Sequence, residues 1–242
     1  MKTFRAFEDN FSFTDSKNYH LSLQIGPGTL TYAILDIADR KYIGLKHTDF
    51  KVTSEKIFKE LLLTELENDS FLKHAFASVA VLYQSFRSML VPESLFDQKN
   101  LKAFLKFHHD IDEKDHIKFF KIKEAEAFVI FSVPNYIEET IISKFPKAQF
   151  YHHCWPFIRD SLTRTDKNET ITGLHINFAS DFFDVLIVRN NKILLYNSFF
   201  YKKYTDVIYF VANILNLFSL KPDVTKLFIT GNWKRNRKLK TN

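Results

Sequence analysis

The chain is poor in the residues that most often announce a chemistry. Its 242 residues hold a single cysteine, Cys154, which excludes an intramolecular disulfide and a cysteine-based metal cluster. One thiol in a chain of this size fits a reducing compartment, so the expected location is cytoplasmic. Only five glycines are present, too few for several glycine-rich phosphate loops. No Gly-x-Ser-x-Gly elbow, Walker loop or Gly-x-Gly-x-x-Gly occurs. No apolar run approaches the roughly 18 residues that read as a membrane span. The N-terminus, MKTFRAFEDNFSF, places acidic residues where a signal peptide requires an apolar stretch.

Hydrophobic residues make up 45% of the chain and aromatic residues 16%, with 27 Phe, enough for a full core and against global disorder. The net charge of +6 comes from 34 Lys and Arg against 28 Asp and Glu. Much of it sits in Lys234, Arg235, Arg237, Lys238 and Lys240, with no acid among them. The body is close to neutral, so the basic balance does not describe a nucleic-acid-binding face. Any contact with RNA, an acidic protein or a membrane surface is assigned to that tail alone, and residues 233–242 are expected to be a solvated, disordered end.

The clearest pattern is Gly173–Tyr201, GLHINFASDFFDVLIVRNNKILLYNSFFY, which reads as three short strands. Asn190 and Asn191 fall in its second turn, where left-handed backbone is cheap for Asn. Leu21–Phe50 repeats the pattern, and with Leu21 placed on Leu174, Gln24 falls on Asn177 and Gly26 on Ala179. A helix follows each copy, over Ser54–Glu67 with Ser54 as N-cap and over Lys203–Phe218. An apolar strand follows each helix, Phe76–Tyr83 in the first case and Lys226–Thr230 in the second. The spacing thus predicts a pseudo-duplicated α/β chain of two βββα lobes. Met1–Lys17 reads as a lead-in arm, and RTDKNET at 164–170 as a linker. Between the copies, Asn100–His109 and Pro134–Lys144 read as helices, and Phe150–Leu162 as a strand running into a helix near Pro156.

Two histidine groups stand out. His108-His109 with Asp110, Asp112 and His116 reads as a solvated loop, and His152-His153-Cys154 as a half-buried aromatic strand. Consecutive side chains point in different directions, so neither group predicts a metal site. Trp155 and Phe157 beside Cys154 predict a buried, inert thiol rather than a nucleophile.

Two βββα halves resemble the ground plan of the actin-like ATPase (ribonuclease-H-like) fold. In that family the first turn of each half cradles phosphate, with an Asp on the metal and glycines and hydroxyls around the phosphate. The first turn here is Gln24-Ile25-Gly26-Pro27-Gly28-Thr29, with Gln24 in the place of the Asp. The second is Asn177-Phe178-Ala179-Ser180-Asp181-Phe182-Phe183-Asp184-Val185, in which only Asp184 and Val185 match the family pattern. Phe182 and Phe183 are expected to crowd a nucleotide there. The adenosine-side motif corresponds to Leu227–Asn232, with Gly231 retained. More specifically, YHLSLQIG at Tyr19–Gly26, VLYQSFRSMLVPESLFD at Val81–Asp97 and HINFASDFFDVLIVRNNKILLYNSFFY at His175–Tyr201 resemble the bacterial domain-of-unknown-function family 3822.

That resemblance implies an arm at 1–18, a first lobe at 19–164 with an inserted strand–helix subdomain near 86–133, a second lobe at 165–232, and the tail. It also implies a further helix and strand beyond Gly231, for which WKRNRKLKTN has no apolar pattern. The function it implies is a non-catalytic scaffold or interaction protein, a pseudo-ATPase without catalytic residues, metal ligands or cofactor, acting on an unidentified protein partner. The other reading is an ATP-binding protein whose interlobe cleft keeps Gly26, Gly28, Thr29, Asn177, Asp184 and Gly231 as contacts, with weak or no hydrolysis.

Overall fold

The computed structural model describes residues 2–8, 13–52, 54–165 and 171–232, apart from the side chains of 13–15. Most of the expected linker and all of the basic tail lie outside the described residues. The chain divides into two compact units. The first takes in residues up to Ser88, Gln98–Phe120 and Ile130–His153, and the second takes in Met89–Asp97, Lys121–Val129 and the residues from Cys154 on.

In chain order the first elements are β1 (Lys2–Phe7), β2 (Tyr19–Gly26), β3 (Thr29–Asp36), β4 (Lys41–Asp49), α1 (Glu55–Asn68) and β5 (Ser78–Tyr83). After them come β6 (Ser88–Pro92), α2 (Leu101–His108), β7 (His116–Ile122), β8 (Ala127–Val133), α3 (Asn135–Lys144) and β9 (Gln149–His152). The first unit is built on a six-stranded sheet, β1-β4-β3-β2-β5-β9. Strands β2, β3 and β4 form an antiparallel meander, and β5 runs parallel to β2. A three-stranded sheet has the order β6-β8-β7.

One expectation is corrected here. Residues 2–7 are not a lead-in arm but an edge strand paired with β4, from Lys2 opposite Asp49 to Phe7 opposite Gly44. Nearly all of β1 is exposed, so it carries no apolar alternation, and its backbone pairing alone places it. Phe7 anchors it by stacking on Phe71, with ring centroids 3.9 Å apart.

Alternation in the meander sends Leu21, Leu23, Ile25, Leu30, Tyr32 and Ile34 to one fully buried face. Each such side chain contributes about 1.5–3 kcal/mol by leaving water. Helix α1 begins as predicted, with the Ser54 hydroxyl accepting from the Ile57 amide. It buries Phe58, Leu62 and Leu66 and leaves Ile57 exposed. A polar knot closes its C-terminal end. The Asp69 carboxylate accepts from the Tyr32 hydroxyl at 3.0 and 3.1 Å, from Lys46 Nζ at 2.5 Å, and from the amides of Phe71 and Leu72. Lys46 also reaches Glu65 at 2.7 Å. Burial, then the Asp69 charge, drives the Tyr32 phenol pKa up. For Lys46 burial pulls down, but the bonds to Asp69 and Glu65 prevail and the pKa rises.

The second unit holds α4 (Cys154–Arg164), β10 (Thr172–Phe178), β11 (Phe182–Arg189), β12 (Lys192–Phe200), α5 (Tyr204–Leu217) and β13 (Thr225–Gly231). Pro156 lies in the first turn of α4, where a missing N–H costs nothing. The sheet order is β12-β11-β10-β13, with β10, β11 and β12 antiparallel and β13 parallel to β10. Asn190 and Asn191 both have positive φ, 52° and 59°, as a two-residue hairpin of the right twist requires. One sheet face packs Leu174, Ile176, Phe178, Phe183, Val185 and Ile187 against Ile214 of α5. Helix α4 packs on β10 and β11. Among the described residues no helix is long and apolar enough to cross a membrane.

Asp69→Ala removes the acceptor of five hydrogen bonds and strands the Tyr32 hydroxyl. It is expected to cost about 3 kcal/mol, read as a lowered denaturation midpoint in urea.

Candidate functional site

The second unit carries a polar row across all four strands of its sheet. The pairing sets Thr230 opposite Asn177, Asn177 opposite Asp184, and Asp184 opposite Ser198. Asp184 has no accessible surface. Its Oδ1 accepts from Ser198 Oγ at 2.6 Å and Tyr196 Oη at 3.5 Å, and its Oδ2 from Asn177 Nδ2 at 3.1 Å. Asn177 Oδ1 in turn accepts from Thr230 Oγ1 at 3.3 Å. A hydrated magnesium ion needs carboxylate oxygens that face open space. Asp184 turns both of its oxygens to protein donors, so this set does not fit such an ion.

Cys154 lies beside the row. Burial, then the Asp184 charge, pushes its thiol pKa well up, against the opposing hydrogen bond with Tyr196. It is a buried thiol, not a thiolate nucleophile.

The turn between β10 and β11 is closed by its own backbone, with the Ala179 amide donating to the Phe182 carbonyl at 2.9 Å, and by Tyr201, whose hydroxyl donates to the Ala179 carbonyl at 3.0 Å. Phe183 was expected to crowd this turn, but its ring points into the α5 core. Its centroid is 5.7 Å from Phe178, 5.6 Å from Phe199 and 6.3 Å from Phe210. Phe182 is buried and Asp181 is exposed. Gly231 has φ +80°, and a Cβ there would strike the Phe178 carbonyl oxygen and lie 2.8 Å from Asn177 Oδ1. Close approach of β13 to β10 is therefore a sufficient reason for this glycine.

In the first unit, Gly26, Gly28 and Thr29 meet at the β2–β3 hairpin, with Gly26 paired to Thr29. Pro27 followed by Gly28 at φ +68° is the type II combination. The Gly28 carbonyl accepts from the Phe50 amide at 2.8 Å. The space over Gly26 is filled, because a Cβ there would lie 2.5 Å from Gln84 Oε1 and 2.8 Å from Thr29 Oγ1. An acceptor oxygen thus stands over the backbone, and Pro27 contributes no N–H. Gln24, where the family has its Asp, pairs with Thr31, whose hydroxyl bonds His47 Nδ1 at 2.7 Å.

The structure thus brings together Gly26, Gly28 and Thr29 in one unit, and Asn177, Asp184 and Gly231 in the other. Gln84, Tyr196, Ser198 and Thr230 were not singled out from sequence. Ser198 and Tyr196 become visible only once the β11–β12 register is known, and Thr230 once β13 is set beside β10. Among the described residues no group of three or more His, Cys, Asp or Glu is placed to hold a metal ion. Cys154 is buried as expected, and His152 and His153, expected on a half-buried strand, are buried too, with His152 bonded to the Ser85 carbonyl at 2.9 Å.

A meander, a helix and a parallel fourth strand make a mixed α/β fold, and the solved structure it is similar to has an actin-like ATPase fold. A crystal structure from Bacteroides thetaiotaomicron VPI-5482, a protein with actin-like ATPase fold and unknown function, is similar with TM-score 0.86 and 19% identity, over 95% of this chain and 88% of that one. The PilM-PilN type IV pilus biogenesis complex (TM-score 0.44, 11% identity, 84% of this chain and 66% of that one) is a far looser match. So is an exopolyphosphatase from Cytophaga hutchinsonii ATCC 33406 (TM-score 0.41, 11% identity, 87% and 66%). A search of curated proteins returns no match. Over residues 8–242 the chain matches the model of one family, and it belongs to that family, Protein of unknown function (DUF3822).

Two outcomes follow from the site. Gly231→Ala is expected to cost about 2 kcal/mol by forcing β13 off β10, measured as a drop in melting temperature. His175, bonded to Thr165 at 2.7 Å and stacked on Phe228 at 4.4 Å, has its pKa lowered by burial to about 4. Its stabilising contribution is full above the unfolded pKa near 6.5 and is lost as pH falls toward about 4. Stability measured by denaturant titration should therefore fall between those values, and fall less in His175→Gln.

Proposed function

We propose that this protein is a pseudo-duplicated actin-like chain of two βββα lobes that acts as a non-catalytic scaffold or interaction protein. Both meanders are followed by a helix and a parallel strand, giving β4-β3-β2-β5 and β12-β11-β10-β13. Their polar rows also coincide, Gln24–Thr31–His47 in one and Asn177–Asp184–Ser198 in the other. The observation that carries the functional half is Asp184, a buried carboxylate whose two oxygens are held by Asn177, Ser198 and Tyr196. In this reading the two former phosphate turns serve as joints of the sheets. The buried single cysteine supports a reducing setting, the cytoplasm of a bacterium.

A thermal-shift titration with Mg-ATP, with Mg-ADP and with either nucleotide in the absence of metal tests this. A ligand at a hundredfold its Kd adds about 2.7 kcal/mol to the native state, on the order of 5–10 °C for a chain of this size. No shift is expected. A rise confined to the magnesium-nucleotide samples would overturn the proposal in favour of a nucleotide-binding cleft built on Gly26, Gly28, Thr29, Asn177, Asp184 and Gly231.

A further inference from the structure

Among the described residues β12 ends the sheet of the second unit, and the first unit shows what a strand in that place carries. β4 and β12 are the third strands of the two meanders. In each the pairing skips one residue two pairs from the turn, Ile43 in β4 and Leu194 in β12. Beyond that bulge, residues 44–49 pair with β1 on their outer side. The matching residues 195–200 pair with β11, and no strand among the described residues lies on their outer side. Helix α4 leads into this meander and α5 and β13 follow it, so the edge lies well inside the described chain.

The backbone of this edge is aimed outward at definite residues. The Phe182 carbonyl is taken by the Ala179 amide on the β10 side. Alternation then turns the backbone of Phe182, Asp184 and Leu186 toward β10, and that of their partners Phe200, Ser198 and Tyr196 away from β11. The Ser198 amide accordingly donates to Asn197 Oδ1 at 2.9 Å. The exposed Asn197 side chain does locally what the carbonyl of an added strand would do. Where β12 begins, the edge is also walled. A cleft of about 980 Å³ within the second unit is lined by residues 192–196 on one side and by 92–94 and 123–127 on the other. Consecutive residues of β12 line it although alternate side chains point to opposite faces, so the cleft meets the strand's backbone. Its other wall is held in place, with Arg159 of α4 on Glu124 at 3.0 Å and the Glu93 amide on the Glu126 carbonyl at 2.9 Å. Exposed lysines stand at both ends of the edge, Lys192 at one and Lys202 and Lys203 at the other. The acid beside the latter two, Asp206, is taken up by their backbone amides.

We infer that the edge of β12 over residues 195–200 binds an extended segment of a partner protein, paired antiparallel to β12 as β1 is to β4, with acidic residues at the ends of that segment. Main-chain pairing supplies the affinity, as it does for β1, whose side chains are nearly all exposed. The lysines at the two ends supply the preference for acid. A second copy of β12 is a poor occupant, because antiparallel pairing brings the Lys192 end of each strand beside the Lys202–Lys203 end of the other, like charge against like. The inference rests on the reading of the chain as an interaction protein, and gives that reading a surface and a partner chemistry.

A phage-displayed library of random peptides, selected on the full chain and counter-selected on Phe200→Pro, tests this. Proline at 200 removes an N–H that is turned away from β11, so the sheet keeps its own bonds. Peptides with acidic ends should be recovered, and their synthetic forms should bind Phe200→Pro about tenfold more weakly than the wild type. Asn197→Val removes the local acceptor of the Ser198 amide and should tighten binding about threefold, a gain that a damaged fold cannot produce. Amide hydrogen exchange of the complex should show new protection at Ser198. Peptides that bind Phe200→Pro as well as the wild type, or that protect amides outside β12, overturn the inference, and so does a library that yields no binder. A wild-type chain that dimerises where Phe200→Pro does not would also overturn it, by making a second copy the occupant. A Mg-ATP thermal shift with peptide binding intact would overturn the earlier reading alone, whereas neither shift nor peptide binding would overturn this one alone.

Discussion

A carboxylate with no water around it must be fully hydrogen-bonded or cost several kcal/mol, and much of the second unit is arranged to meet that demand at Asp184. The donors come from different strands, Asn177 on β10 and Ser198 and Tyr196 on β12, while Thr230 on β13 fixes the Asn177 amide. A slip of one residue in either neighbouring strand would turn these donors to the other face of the sheet. The row therefore specifies register, where the apolar face beneath α5 supplies most of the stabilisation. Polarity here sets the pairing of the strands.

The first unit meets a similar demand differently. Its buried acceptor, Asp69, sits at the end of α1 and ties that helix to β3 and β4 through Tyr32 and Lys46. The row that coincides with Asp184's, Gln24–Thr31–His47, holds no carboxylate between its strands and is only partly buried. The glycines tell the same story of backbone necessity. Gly28 and Gly231 take left-handed φ, and Gly26 and Gly231 each lie where a side chain would collide. Residues that look like remnants of phosphate chemistry thus have present structural reasons to be glycine.

Much of this architecture was legible in the chain. Alternation in Leu21–Ile25 and Leu30–Leu35, the Asn190-Asn191 turn and the Ser54 cap are local signals, and the structure follows them to within a residue or two. Strand β1 was not legible, because its side chains face solvent and only its pairing with β4 defines it. The direction of the Phe183 ring was missed for a related reason. Every residue of β11 from Phe182 to Val188 is buried, so alternation alone does not say which of its two apolar faces meets α5. The candidate site was half visible. Asn177, Asp184 and Gly231 came from motif position, whereas Gln84, Tyr196 and Ser198 required the pairing of strands and the close approach of Gln84 to Gly26.

Cys154 has one more consequence. The chain's sole thiol is sealed at the base of α4, against the side chains that fix the strand register of the second unit. A thiol reagent can reach it only when α4 lifts from the sheet, so the labelling rate is a direct clock of that local opening. The native protein thus carries a built-in reporter, restricted to one unit, that needs no introduced probe.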